Sequence, residues 1–204
     1  MNWGESDSRV TVCCFRKYQD LESLIDVITK FKKQNPGNII TLDTVFSDDV
    51  PPAISKDSYD AYISPYFYIK NNSAMNYKVI EETPAYINIA SSHPLASKKD
   101  LQLSDLKNET FCLLSPEEKA TSINTQVLAR LARNGISPKH IIYPKNIASR
   151  QVEVLSGYIE IGVPLVNPHI KNIPILPDDH EADVVVAWNK NKHSKLLQEF
   201  VELL

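Results

Sequence analysis

Glycine is scarce in this chain, with five in 204 residues. None falls in a G-x-G-x-x-G or G-x-x-x-x-G-K pattern, so a loop that lets the backbone close on a phosphate is not expected. No G-x-S-x-G occurs, and no serine, base and acid can be drawn into a triad. Cysteine is limited to Cys13, Cys14 and Cys112, a spacing that fits neither a disulfide framework nor a zinc site. Neighbours on a strand point to opposite faces, so Cys13 and Cys14 do not pair with each other; reduced, buried thiols are the reading, in preference to a redox sensor. His93, His140, His169, His180 and His193 are scattered without metal-ligand spacing. No metal and no cofactor are expected. The apolar runs are too short to cross a bilayer; Ile159–Val166 reads as a buried strand. The opening residues, MNWGESDS, carry no basic-then-apolar signal and read as a short polar leader.

Positive charge is not in excess. Lys and Arg number 22 against 25 Asp and Glu, for a net charge of −3. The densest basic cluster, Lys30, Lys32 and Lys33, ends a helix, where cations suit the macrodipole. With no basic stripe to follow a phosphate backbone, autonomous DNA binding is not expected.

What is present is enough apolar residue (43% of the chain) for a real core, and an alternation of strand and helix patterns without internal repeats. Arg9–Phe15 reads as a strand. Leu21, Leu24, Ile25, Ile28 and Phe31 form one helical face, with Asp20 as N-cap and Asn35-Pro36-Gly37 as stop. Asn38–Phe46 is a second strand and Tyr59–Ser64 a third, with a short apolar stretch, Val50 to Ile54, between them. Residues 71–76 read as a loop, and Tyr77–Ser91 as extended chain broken by Pro84. A second series follows: a helical turn at Leu101–Leu106, a strand at Thr110–Leu114, and a capping box at Ser115-Pro116-Glu117-Glu118. That box opens a helix to Asn134 with Ile123, Val127, Leu128 and Leu131 inward; Thr121 or Ser122 is the alternative start. Gly135 is the left-handed stop. Then come a strand at His140–Tyr143, a helix at Asn146–Ser156 closed by Gly157, strands at Ile159–Val166, Asn172–Leu176 and Ala182–Trp188, and a terminal helix, Lys195–Leu204, with Leu196, Leu197, Phe200 and Leu204 inward. The order implies an α/β fold with largely parallel sheets.

Three stretches carry a family resemblance. His93-Pro94-Leu95-Ala96, Leu101-x-Leu103-x-Asp105-Leu106 and Phe111-Cys112-Leu113-Leu114 follow one another in a run similar to that opening the second lobe of LysR-type effector domains. Asp49-Val50, Ile54 and Tyr59–Ile63 resemble an earlier segment of that family, and Val154-Leu155-Ser156-Gly157 with Pro164 resembles a later one. The sequence departs from the pattern at Ile159, where a second glycine is usual, at Glu160, where an apolar residue is usual, and at Pro51-Pro52, inside what is normally a helix; that helix is expected to be short or to start at Ala53.

The resemblance implies a type-2 periplasmic-binding-protein-like fold: two Rossmann-like lobes joined by two crossover segments. Lobe I is expected at residues 9–80 with 181–204, and lobe II at 84–177. The winged helix-turn-helix that reads DNA precedes this domain in the family and is expected to be absent from this chain. The effector is expected in the interlobe cleft, against strand C-terminal ends and helix N-termini, where free N–H groups collect. Arg16, Lys17 and Tyr18 follow the first strand, Phe46 and Ser47 the second, and Ser64, Pro65 and Tyr66 the third. Ser115, Asn146, Ile147 and Pro164 come from the second lobe. Ser47 matches a position where a hydroxyl residue meets the effector in the family; Arg16 and Lys17 would partner a carboxylate, and Tyr66 a ring or apolar body. Tyr59 and Tyr62 read as packing residues. The expected partners are a small-molecule effector, an organic anion among the candidates, and further copies of the chain in a homodimer or tetramer. In the dimer, helix Leu21–Lys33 meets Ile123–Arg133 of an antiparallel second copy. DNA is reached only through the separate N-terminal domain, and no membrane is involved. A cytoplasmic, non-enzymatic sensor is the reading; an extracytoplasmic solute-binding protein of a transporter is the alternative, and an enzyme on the same fold a third.

Overall fold

A computed structural model describes residues 8–18, 22–176 and 179–204. The polar leader up to residue 7, the N-cap expected at Asp20 and the helix position expected at Leu21 lie outside the described residues. The chain divides into two compact units: one runs to Glu82 and resumes at Glu181, and the other is Thr83–His180.

The first unit is built on β1 (Arg9–Phe15), α1 (Glu22–Gln34), β2 (Ile39–Val45), α2 (Val50–Ser55), β3 (Ala61–Pro65), β4 (Met75–Glu81), β10 (Val184–Asn189) and α5 (Lys195–Leu203). Its sheet has the order β2-β1-β3-β10-β4. β1 lies parallel to β2 and β3, while β10 runs antiparallel to β3 and β4. Central strands bury both faces: Val12, Cys13, Cys14, Ala61, Tyr62, Ile63, Val185 and Val186 are all but inaccessible. Helices α1 and α5 meet through Phe31 and Phe200, whose rings stand edge to face with centroids 5.8 Å apart.

The second unit holds β5 (Tyr86–Ala90), β6 (Phe111–Cys112), α3 (Thr121–Arg133), β7 (Ile141–Ile142), α4 (Ile147–Leu155), β8 (Ile159–Gly162) and β9 (Ile170–Pro174). Its sheet order is β7-β6-β8-β5-β9, with β6 parallel to β7 and β8, and β5 antiparallel to β8 and β9. Ile87, Ile89, Leu106, Phe111, Leu131 and Ile159 form the centre of its main core; Val154, Leu165 and Ile170 form a smaller one.

The two sheets share one plan. In each, the antiparallel strand, β10 or β5, is the first to follow a passage of the chain from the other unit. The sheets are therefore mixed, and the single reversed strand in each corrects the expectation of largely parallel pairing.

Several local expectations also shift. The buried stripe of α1 is Leu24, Val27 and Phe31, with Ile25 53% exposed. The expected face includes Ile25, but two apolar stripes overlap there and the sheet takes the i, i+3, i+7 one. α2 is short, as its two prolines imply, yet it begins at Val50 with Pro51 and Pro52 in its first turn, where a missing N–H costs nothing. The capping signal at Ser115 is real, with the hydroxyl accepting from Glu117 N at 3.2 Å. It opens only one 3-10 turn, because Lys119 adopts a left-handed φ of 47°, and α3 starts at Thr121. In α3 the buried positions are Asn124, Arg130 and Leu131; Ile123 is half-buried, and Val127 and Leu128 pack half-buried against the core. Gly135 and Gly157 stop α3 and α4 at φ +71° and +103°. Strand β8 ends at Gly162, short of the expected Val166, because the loop behind it is held by side chains described below.

Candidate functional site

In the first unit, parallel pairing brings the carboxyl ends of β1, β2 and β3 to one edge, with Phe15 opposite Val45 and Cys14 opposite Ile63. Three short turns leave that edge. The first carries Arg16, Lys17 and Tyr18. Arg16 and Lys17 are exposed, and the Arg16 guanidinium sits over the Phe46 ring, 5.1 Å from its centroid, a cation–π contact that holds the cation in place. Tyr18 is buried instead, edge-on to Phe15 with centroids 5.3 Å apart. Burial pushes its phenol above the ordinary value, with Tyr68 and Glu81 adding to the effect, so it acts as a neutral packing group.

The second turn carries Phe46 and Ser47. Phe46 is 37% exposed, whereas Ser47 is buried, and its carbonyl accepts from the Tyr68 hydroxyl at 3.0 Å. The third turn follows β3. Ser64 and Pro65 are buried; Ser64 Oγ donates to the Pro65 carbonyl at 3.4 Å. Tyr66 N donates to the Asp183 carbonyl at 2.8 Å and Phe67 N to that of Glu181 at 2.9 Å, so the start of β10 fixes this turn. The Tyr66 ring lies 4.9 Å from that of Tyr77, and a hydrogen bond with Tyr77 raises its phenol. Its aromatic face is thus engaged within the sheet's own edge. Tyr62 is fully buried; its hydroxyl donates to Ala53 O at 3.1 Å and accepts from Tyr59 N at 3.1 Å, tying α2 to β3.

In the second unit the carboxyl ends of β6, β7 and β8 are likewise side by side. Ser115 follows β6, buried, in a turn clamped by Asn124. The Asn124 Oδ1 accepts from Leu114 N at 3.0 Å and its Nδ2 donates to Leu114 O at 2.8 Å. Asn146 caps α4: Ser149 N donates to Asn146 Oδ1 at 2.9 Å and Asn146 N to Ser149 Oγ at 3.0 Å. Ile147 stands 49% exposed in the first turn of that helix. Pro164 follows β8 and is exposed.

The position of Pro164 is set by a polar row that the sequence reading did not identify. Cys112, Glu160, Asn88 and Asn172 occupy directly paired positions on β6, β8, β5 and β9, hence one face of the sheet. Asn88 Nδ2 donates both to Glu160 Oε2 and to the Val163 carbonyl at 2.8 Å. Asn172 forms a reciprocal pair with Leu165, at 3.1 Å in each direction. Glu160 Oε1 lies 3.4 Å from Arg150 Nη1 on α4. The row therefore links α4, whose cap is Asn146, to the loop that carries Pro164. The one sequence signal for it was Glu160, an acid inside an otherwise apolar strand.

Two units of one sheet plan, each with loops gathered at strand carboxyl ends, define a ligand-binding α/β protein of the type-2 periplasmic-binding-protein kind. The LysR substrate binding domain profile matches residues 4–204, and the chain belongs to that family, one of transcription regulators. A curated relative, the HTH-type transcriptional regulator BudR of Raoultella terrigena, is 24% identical over 139 residues, 66% of this chain and 48% of its own. The chain thus spans about half the length of the curated relative it matches. Among solved structures, the BenM effector binding domain with its effector benzoate superposes with a TM-score of 0.72 at 17% identity, covering 96% of this chain and 89% of that one. The effector binding domain of QuiR in complex with shikimate gives 0.67 at 16%, covering 97% and 95%. These findings favour an effector-binding regulatory domain over a transporter's solute-binding protein. Among the described residues, no helix is long and apolar enough to cross a membrane.

Proposed function

We propose that the chain senses a small organic anion at the strand-end loops and catalyses nothing, as the regulatory half of a cytoplasmic, homodimeric or tetrameric transcription regulator that reaches DNA through a separate N-terminal domain. The observation that carries this reading is the cluster of Arg16, Phe46 and Ser47: an exposed guanidinium seated on an aromatic face, next to a hydroxyl residue, at the ends of two parallel strands. That set can take a carboxylate and the body attached to it. Benzoate and shikimate, bound by the two similar domains, are both carboxylates. Lys17, exposed in the same turn as Arg16, completes the proposed contact set of the first unit, and the buried Tyr18 supports that turn from behind.

Binding regulates only if the ligand prefers one conformation over another. A thermal-shift screen of small organic acids tests the reading. At least one acid is expected to raise Tm saturably, and Arg16→Ala and Ser47→Ala each to abolish the rise. An undiminished rise in both variants would contradict it. Light scattering tests the assembly, which should exceed one copy at high micromolar concentration.

A further inference from the structure

The second unit contains a cavity of about 290 Å³ whose lining includes Arg130, Arg133, Asp179, Leu103, Ile175 and Leu176. Ser115, Asn146, Ile147 and Pro164 are not part of its wall, so it is separate from the strand-end loops of that unit.

Its chemistry centres on two guanidinium groups one turn apart on α3. Arg130 is only 9% exposed, and a cation so buried requires an anionic partner. Asp179 supplies it: Arg130 Nε donates to Oδ2 at 3.1 Å and Nη2 to Oδ1. Arg133 Nη2 lies 3.5 Å from the same Oδ2. The side chains of Arg133 and Asp179 are 48% and 37% exposed, so this carboxylate approaches Arg130 from the solvent side. A two-pronged guanidinium–carboxylate contact, with a second guanidinium behind it, is how a free carboxylate is held. Leu103, Ile175 and Leu176, the last 63% exposed, provide an apolar surface for a carbon skeleton. The volume falls just below the usual range for ligand pockets, about 300–1,000 Å³, so only a small ligand fits.

We infer that this cavity is a second anion site, specific for a small monocarboxylate with an apolar body, and that Asp179 is its built-in competitor. The ligand carboxylate replaces Asp179 on Arg130, and the hydrocarbon part rests on Leu103, Ile175 and Leu176. Asp179 lies two residues before the chain enters the first unit at Glu181. Displacing it exchanges a tether between α3 and that connecting segment for a contact with ligand, so occupancy is registered where the chain passes between units. A tethered carboxylate competes at high effective concentration, so the site is weak while Asp179 is present.

The test uses the 204-residue chain and two probes, hexanoate and uncharged hexanamide, followed through the Nε–Hε NMR signals of Arg130 and Arg133. Hexanoate should shift both signals saturably, and hexanamide should not. Asp179→Asn should tighten hexanoate binding at least about tenfold, with Asp179→Ser as the alternative should that variant misfold. Arg133→Gln, at an exposed position, should weaken it. Failure of hexanoate to shift these signals in the wild type and in both Asp179 variants would overturn the proposal, as would equal shifts by hexanamide. Because the readout sits on Arg130 and Arg133, its failure is distinct from a failure at Arg16 and Ser47.

Discussion

Asn88 and Glu160 face each other across β5 and β8, and the amide of the first donates to the carboxylate of the second. Glu160 is in turn paired with Arg150 at 3.4 Å, with both side chains largely withdrawn from solvent. The pair holds α4 on the sheet, and the second hydrogen bond of Asn88, to Val163, holds the Pro164 loop.

Glu160→Ala is therefore expected to leave the Arg150 guanidinium buried without its acid, at a cost of about 2–4 kcal/mol; residual solvent access to Arg150 keeps this below the upper end for a fully buried pair. The double variant Glu160→Leu/Arg150→Leu should recover most of that loss, since removing both charges removes the desolvation cost. Urea unfolding of the three proteins measures it. A single-variant loss below about 1 kcal/mol would show that the pair does not hold α4.

The three thiols give a pH signature. Burial pushes Cys13, Cys14 and Cys112 from 9.0 up to about 12, with Asp43 adding to the effect at Cys13, Cys13 at Cys14, and Glu160 at Cys112. Burial likewise moves Tyr62 from 10.0 to about 12. These groups stay protonated in the folded chain while the unfolded chain ionises first. Their stabilisation is complete below pH 9 and is lost progressively as pH rises towards 12. Tm should decline from pH 9 upward, and less steeply in a Cys13→Ala/Cys14→Ala/Cys112→Ala variant. At pH 8 a thiol-reactive disulfide reagent should leave the folded chain unlabelled and label three thiols in urea; rapid labelling without urea would contradict this account.

The cap of α4 is a local device with a predictable cost. Asn146→Ala removes the acceptor for Ser149 N and should destabilise by about 1 kcal/mol, while Asn146→Asp should be close to neutral. Amide exchange at residues 147–149 should quicken in the alanine variant only. Equal exchange in both would mean that the cap is not what orders this helix start.

Local signals in the sequence were legible where backbone chemistry decides the outcome. β1, the stops at Gly135 and Gly157, and the capping residue Ser115 stand where residue type placed them, because caps and positive φ depend on near neighbours. What was not legible depends on distant pairing. That β10 enters antiparallel between β3 and β4 is a contact across more than a hundred residues. Burial of Val27 in place of Ile25 depends on which stripe the sheet accepts. Lys119 leaving the helical region gave no cue in a Ser-Pro-Glu-Glu start. At the strand ends, the positions of Arg16, Phe46 and Ser47 followed from strand order. The clamps that set the loops are polar residues at buried positions, Asn124 and Asn88, and at a half-buried one, Asn172, and apolar periodicity passes over those.

Hydrogen–deuterium exchange of the chain with and without the organic acid that gives the largest thermal shift tests the central claim most directly. Binding at the strand ends predicts protection at residues 16–18, 46–49 and 64–68, lost in Ser47→Ala. Protection confined to residues 102–104 and 130–134, or absent from all three strand-end segments at saturation, would contradict it.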